Sequence, residues 1–470
     1  MVLKLLDLKN LLFLMFGFAG FIATCCAQGK TAEKPNIILI MADDLGYNDI
    51  EPYGSSQVST PHLQQLASEG MSFDNMFTST AMCSPTRQQI LTGLYPVRNG
   101  AYPNHSFVYK GTKSVAHYMQ NAGYETAIIG KRDFGNAKSF PFKFLGGRDW
   151  DNGKGKAIDL ADAKKYIDST TKPFFLVVAS NQPHVPWVRG NADNYPPGGI
   201  KVPPYLVDTQ KTRESLSKYY AEITFLDSLV GQCMNMVRLS PKKDNTIVIF
   251  TSEHGPQFPF AKWTCYDQGL KTSFIVKWPD HIKEGSRNTA LTQYVDVVPT
   301  LLDVIGVDTK NIDTGTKDAK GYAGFDGKSF KDVLLKGDDL FRDYVYGVQT
   351  TKGIINGTIN YPVRSVRDKK YLYIRNLNPS ATFTNVETKK GVVGTWTKKN
   401  KERAEAYSHR PAQELYDIIE DPYQLNNLAP LSQYKEILIK MDNVLMAFME
   451  QQEDEGKKTE AAVGTRQKRG

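Results

Sequence analysis

Asn36-Ile37-Ile38-Leu39-Ile40-Met41-Ala42, running directly into Asp43-Asp44, is an unbroken apolar segment that ends in two carboxylates. A run without polar alternation predicts a strand covered on both faces, as at the centre of a parallel sheet. Further short apolar runs at Thr126–Ile129, Phe174–Ala179, Thr246–Thr251 and Phe274–Trp278 predict its partners. Helical patterns at Lys113–Ala122, Arg213–Met236 and Asp296–Ile305 alternate with them. Thr60-Pro61 opens another helix, with Thr as N-cap and Pro in the first turn, and Leu63, Leu66 and Ala67 give it an apolar face. Strands alternating with helices predict an α/β domain built on a large, mostly parallel sheet flanked by helices. In such sheets ligands collect at the carboxyl ends of the strands.

Working outward, the pattern changes near Asp338. Tyr344–Gln349, Tyr361–Arg367 and Tyr371–Asn376 read as a short antiparallel meander, and Ser432–Gln451 as a helix with Leu438, Met441, Leu445 and Phe448 on its core side. The organisation expected is an export signal over 1–27, a catalytic α/β domain over 28–337, a smaller C-terminal antiparallel subdomain over 338–452 and a disordered tail over 453–470. In the signal, Lys4 and Lys9 precede the apolar run Leu11–Ala23, and Ala27 offers a small cleavage residue. That places the chain outside the cytoplasm, periplasmic or extracellular, with lipid attachment at Cys25 or Cys26 as the alternative. The net charge of +8 is a modest bias toward anions, and no basic stripe interleaved with aromatics points to nucleic acid. Once the signal is removed, Cys83, Cys233 and Cys265 remain, too few for a disulfide framework. Cys233 and Cys265 are expected as free thiols, with a single bridge between them as the alternative.

Chemistry concentrates at the predicted strand ends. Asp43-Asp44 alone reads as a cap or a solvated turn. A second acidic strand end, Ser252-Glu253-His254-Gly255, changes that reading, because oxygen ligands from two strand ends suit a hard divalent cation such as Ca2+ or Mg2+. Cys83-Ser84-Pro85-Thr86-Arg87, followed by Leu91-Thr92-Gly93, starts a helix, and a helix start attracts anions. Arg87 lies one turn on and offers a planar fork to the same anion. Lys131 follows the run ending at Gly130, Lys262 sits in Phe260-Ala261-Lys262-Trp263, and His184 sits in Asn181-Gln182-Pro183-His184 after Ala179. Each is ordinary alone; together they describe one anion pocket.

Cys83-x-Pro85-x-Arg87 with Leu91-Thr92-Gly93 resembles the signature of type I sulfatases, the formylglycine-dependent branch of the alkaline phosphatase superfamily. Arg98-Asn99-Gly100-Ala101-Tyr102, Gln257-Phe258-Pro259, Tyr361-Pro362-Val363-Arg364 and Glu414-Leu415-Tyr416-Asp417 are similar to the heparan N-sulfatase (sulfamidase) branch. The resemblance implies an alkaline-phosphatase-like fold and hydrolysis of sulfamate groups on glucosamine in heparin-type glycans. It implies that a maturation system oxidises Cys83 to formylglycine, whose hydrate is the nucleophile. Asp43, Asp44, Glu253 and His254 match metal ligands, with residue 83 also on the metal. Arg87, Lys131 and Lys262 match sulfate-clamping positions, and His184 matches the proton donor to the leaving group. In an animal source the family's location would be lysosomal.

Two positions depart from the family pattern. Glu253 stands where Asp is usual, and Asp133, in Lys131-Arg132-Asp133-Phe134, stands where a histidine that assists sulfate release is usual. Asp133 is therefore a candidate base, but it also brings negative charge toward a bound anion. The readings left in competition are an O-sulfatase on another sulfated glycan, a catalytically impaired sulfoglycan-binding homologue, and a phosphodiesterase of the same superfamily. Arg364 and His105 are candidates for sugar contact on motif neighbourhood alone.

Overall fold

The computed structural model describes residues 33–135, 137–146 and 156–462. The expected signal with Cys25 and Cys26, and the end of the expected tail, lie outside these residues. Among the described residues no helix is long and apolar enough to cross a membrane.

Asn36–Ala42 is the centre of an eight-stranded sheet. Its flanking partners, Phe174–Ala179 and Thr246–Ser252, run parallel to it, and Glu125–Gly130 runs parallel to Phe174–Ala179. The doubly covered strand follows from its sequence. Ile38, Ile40 and Ala42 pack in one hydrophobic cluster, and Ile37, Leu39 and Met41 in another on the opposite face. The first cluster takes Leu63 and Leu66 of the helix Pro61–Ser68 and Leu216, Ile223 and Leu226 of the helix Gln210–Arg238. The second takes Val115 and Met119 of the helix Val115–Asn121 and Val298, Leu301 and Leu302 of the helix Val297–Val304. The long helix starts earlier than its hydrophobic pattern does. Thr209 caps it, its hydroxyl accepting from Thr212 N at 3.1 Å, a polar signal that lies outside the apolar face.

Phe274–Lys277 also pairs with Thr246–Ser252, but antiparallel. A parallel neighbour needs a crossover on one face of the sheet. Here the intervening chain instead folds over the strand tip, carrying Lys262, and returns. Met71–Phe73 and Ser286–Asn288 extend this edge, and Lys143–Phe144 closes the other.

Register decides what the sheet presents. Ala42 is opposite Ser252, Met41 is opposite Ala179, and Gly130 is opposite Ala179. Four parallel strands thus end at one level, and Asp43, Glu253, Ser180 and Lys131 leave them side by side.

The C-terminal part forms a four-stranded antiparallel sheet in the order Val345–Gln349, Val363–Arg367, Tyr371–Asn376, Gln413–Asp417. Gln413–Asp417 joins the expected meander as a fourth strand. Met441, Leu445 and Phe448 of the helix Lys435–Gln451 pack on this sheet with Val348, Val366 and Tyr373. Pro35 onward forms one compact unit, so the sheet is docked on the main domain and not separate from it. Between its last two strands, the helices Val393–Trp396 and Lys401–Ser408 brace the Lys262 loop: the Arg403 guanidinium lies 3.5 Å above the Phe260 ring, and Trp396 stacks on the same ring. The expected disordered tail needs correction over its first part. Lys457–Ala462 is helical and Glu460 is buried.

Candidate active site

Helix Cys83–Thr92 is buried along its whole length and opens on the sheet's carboxyl edge. Met82 precedes it in extended backbone with no side-chain cap, so the first N–H groups of the helix have no capping side chain to satisfy them. Cys83 therefore sits where an anion is favoured. Thr78, Thr86 and Gln89 hold this corner together: Thr86 Oγ1 donates to Thr80 O at 2.6 Å, and Gln89 Oε1 accepts from Ser79 N at 3.0 Å.

The structure brings the expected metal-ligand, sulfate-clamping and leaving-group residues to this point. Lys131 Nζ lies 2.7 Å from Asp43 Oδ2, and Lys262 Nζ lies 2.6 Å and 2.8 Å from the two Asp44 oxygens. Arg87 Nη1 donates to Lys131 O at 3.1 Å, and Arg87 Nε is 2.7 Å from Glu253 Oε2. His254 Nε2 is 3.3 Å from Glu253 Oε1 and 3.5 Å from Asp44 Oδ1. His184 Nε2 is 3.6 Å from Asp44 Oδ2, and Cys83 Sγ is 4.0 Å from Asp44 Oδ1. His184 differs from His254 in access: its side chain is 26% exposed, whereas His254 is fully buried.

Burial without partners is what the site cannot sustain by itself. Asp43 Oδ1, both Glu253 oxygens and His254 Nε2 are buried without a hydrogen bond, even though Arg87 Nε comes within 2.7 Å of Glu253 Oε2. Such groups cost free energy unless a ligand takes them. Ligand atoms of Asp44, Cys83, Glu253 and His254 all fall within 4.8 Å of one another, and so do those of Asp43, Asp44, Cys83 and His184. The donor set, three carboxylates with imidazole, fits a cation. Glu253, one methylene longer than Asp, still delivers its carboxylate there.

Proton affinities follow the same geometry. Burial, then the neighbouring Glu253, pushes the Asp43 carboxyl up from its ordinary value. Burial would also raise Asp44, but Lys262 outweighs it and holds that carboxyl well below the usual range. Burial would raise the Cys83 thiol, yet Lys131 and Lys262 bring it well below its ordinary value, so the field at residue 83 is positive.

Asp133 is buried at the rim of this cluster in left-handed backbone, φ 43°, with its Oδ2 3.9 Å from Lys131 Nζ. His105 approaches it, with Nδ1 3.6 Å from Asp133 Oδ1, a contact no sequence spacing suggests. Arg364 is elsewhere in function. It is fully buried, paired with Asp454, and donates to Gln349 O at 3.1 Å and Val363 O at 3.0 Å, so its guanidinium is consumed by structure. Cys233 and Cys265 are buried free thiols, as expected. Sequence reasoning missed Tyr219 and Asp49 behind the turn that follows Asp44. Gly46 N donates to the Tyr219 hydroxyl at 2.9 Å, which donates to Asp49 Oδ2 at 2.9 Å. Tyr219 sits on the long helix with no local signal to mark it.

Comparison with known proteins agrees with this geometry. A sulfatase family model matches residues 35–307, and a model described as N-sulphoglucosamine sulphohydrolase, C-terminal, matches 253–378. An ulvan-active sulfatase of Formosa agariphila is 32% identical, over 90% of this chain and 81% of its own length. The human N-sulphoglucosamine sulphohydrolase is 28% identical, over 89% of this chain and 91% of its own. Among solved structures, a protein in complex with its substrate D-glucosamine-2-N,6-O-disulfate superposes with a TM-score of 0.70 at 18% identity, over 90% of this chain and 99% of the other. The phosphonate monoester hydrolase of Agrobacterium radiobacter gives 0.68 at 18% identity, over 89% and 96%. These two likenesses concern the fold. With more than half its length matched by the family model and 32% identity to an ulvan-active sulfatase over 90% of the chain, the chain belongs to the sulfatase family, hydrolases of sulfate esters.

Proposed function

We propose that this sulfatase removes the N-sulfo group of glucosamine residues in heparin- or heparan-type glycans, using Cys83 after its oxidation to formylglycine by a maturation system. The observation that carries the chemistry is residue 83 at an uncapped helix start, ringed by Arg87, Lys131 and Lys262 and facing buried carboxylate oxygens of Asp43 and Glu253 that lack hydrogen bonds. The substrate class rests on the match of 253–378 to the sulphohydrolase C-terminal model and on the human relative.

Asp43, Asp44, Glu253 and His254, with residue 83, would hold a Ca2+ ion, or Mg2+ in its place. Bound there, the ion supplies Lewis-acid stabilisation of charge on the transferred group, and the oxidised residue 83 supplies the nucleophilic hydroxyl. Lys131 and Lys262 pair with Asp43 and Asp44; were those carboxylates held by a cation, both ammonium groups would be free to face the sulfonyl oxygens. Arg87 holds the third side and fixes Lys131 through its carbonyl. Preorganised cations are effective because they face charge that grows in the transition state. His184, partly open to solvent, gives its proton to the departing amine.

A second reading, an O-sulfatase on another sulfated glycan, is favoured by the ulvan-active relative. Matured protein assayed on N-sulfated against 6-O-sulfated glucosamine divides the two. Sulfate release from the N-sulfated sugar is expected; release from the O-sulfated sugar alone would overturn the sulfamidase reading. Mass spectrometry of the peptide containing residue 83, from protein made with the maturation system, should show an aldehyde in place of the thiol.

A further inference from the structure

Residues 181–190, which carry His184, contain no helix or strand. Such a loop must find partners for its backbone N–H groups elsewhere, and Pro183 and Pro186 bring none. Inside it, His184 N donates to Asn181 O at 3.2 Å, and the Trp187 indole N–H donates to Pro183 O at 2.9 Å. Neither bond reaches beyond the loop. From His184 to Gly190 no residue is fully buried, so packing alone does not lock this stretch.

The anchor is Glu222, in the middle of the helix Gln210–Arg238. Its side chain is buried, and Oε1 accepts from Arg189 N. The N–H groups of Val188 and Gly190 bear on the same carboxylate, and Oε2 has no hydrogen bond of its own. Three consecutive backbone N–H groups therefore converge on one carboxylate, as they do where backbone cradles an anion. Gly190 lets the loop come that close. A Cβ there would lie 2.0 Å from Ala221 O, so the loop backbone rests directly on the helix beside Glu222.

The same helix turn reaches the other side of the site. Tyr219 holds Gly46 N and Asp49 in the turn that follows Asp44. Trp187 of the loop packs against Tyr219 and Phe258, with ring centroids 5.9 Å and 5.5 Å apart. One turn of helix thus sets the His184 loop against the carboxylate that His184 faces, Asp44, and the ligand atoms of His184, Asp44 and Cys83 lie within 4.8 Å of one another.

We propose that Glu222 is the positioning residue of the proton donor: it pins 188–190 to the helix and so holds the His184 ring where a leaving group on residue 83 departs. This rests on the role given to His184 under Proposed function. Residue 83, Arg87 and Lys131 come from other elements, so loosening the loop spares them. The loss then falls on the step that needs a proton.

The test uses matured full-length protein with Glu222→Met, Glu222→Gln and Gly190→Ala. Met keeps the bulk and removes the acceptor. It should lower kcat on the N-sulfated sugar roughly 10²-fold with KM little changed, the scale of a small misplacement of a reacting group. The kcat on an activated aryl sulfate should hold, and across aryl sulfates of rising leaving-group pKa the decline should be steeper than in the parent. Glu222→Gln keeps an oxygen for the Arg189 N–H and should recover most of the loss. Gly190→Ala, which pushes the loop off Ala221, should reproduce the Met pattern. Independently of turnover, hydrogen exchange of the Cys83→Ala protein should find the 188–190 amides protected, and Glu222→Met should release them while the strand Asn36–Ala42 stays protected. Equal losses on sugar and aryl ester, with the leaving-group dependence unchanged, would make Glu222 a stability residue only and overturn the proposal. So would parent-like sugar turnover in Glu222→Met, or 188–190 amides unprotected in the parent. If Glu222→Met does not fold, Gly190→Ala and the exchange of the parent decide. If the parent releases sulfate from aryl esters but from no N-sulfated sugar, the sulfamidase reading fails, and the leaving-group series with the exchange data still decides the role of Glu222.

Discussion

As the proposed proton donor, His184 would set the substrate range. Burial works against its charged form, but Asp44 outweighs burial and raises its pKa to about 9. The imidazolium is therefore present through neutral pH and is lost as pH rises through that value. An amine or sugar alkoxide leaves only with a proton, whereas an activated phenol leaves without one. The kcat for a sulfated sugar should fall on the alkaline side near pH 9, and that for an activated aryl sulfate should not. His184→Ala should cost roughly 10²–10⁴-fold on the sugar and far less on the aryl ester. Equal losses on both would mean His184 serves the clamp and not the leaving group. Most of the cluster around it was legible in the sequence because catalytic side chains follow strand ends, and strand ends are marked by where an apolar run stops. The His105–Asp133 contact was not legible, since it depends on two left-handed turns meeting in space.

At the scale of elements, the C-terminal sheet is fastened by a buried charge. Arg364, on the strand Val363–Arg367, pairs with Asp454 beyond the last long helix, and both side chains are fully buried. Burial alone would raise the Asp454 carboxyl, but Arg364 prevails and holds it below its ordinary value. Its contribution to stability is thus present above the unfolded carboxylate value, about 3.9, and is lost as pH falls through the lower folded value. Arg364→Met should destabilise by about 3–5 kcal/mol at neutral pH, because it strands Asp454, and much less at strongly acid pH. Denaturant melts of the variant at both pH values check this; an equal loss at both would show that packing, not charge, holds the joint. The expected meander, as short runs between turn signals, was readable, and so was the apolar stripe of the helix Lys435–Gln451. The fourth strand, Gln413–Asp417, was not, because Glu414 points inward to Tyr266, Asn376 and Tyr416 and breaks the alternation that marks a half-buried strand.

For the whole molecule, the site belongs to the part of the fold that opens last. Its carboxylates leave the central strand and its neighbour Thr246–Ser252, both completely buried, so engaging them is linked to global unfolding and not to a loop. Three carboxylates, Asp43, Asp44 and Glu253, face three cations, Arg87, Lys131 and Lys262, and the cluster is balanced before any sulfate enters. An arriving sulfate adds negative charge to a buried space. A divalent ion, held as proposed, would supply the compensation and take up the Glu253 and His254 atoms that lack partners. Chelator-treated protein should therefore melt lower than protein with Ca2+. The difference should approach ~2.7 kcal/mol when the ion is at a hundred times its dissociation constant. Asp44→Asn should remove most of that difference and lower the chelated melting point as well, because it leaves the buried Lys262 ammonium without its carboxylate. Inorganic sulfate should raise the melting point further when Ca2+ is present and little without it, since the anion then enters a site whose charge is already neutral. A calorimetric series over ion and sulfate, in parent and Asp44→Asn, reads all three shifts. A melting point indifferent to Ca2+ and Mg2+ would mean the lysines and Arg87 alone satisfy the carboxylates, and the sheet edge would then be an anion site without a metal.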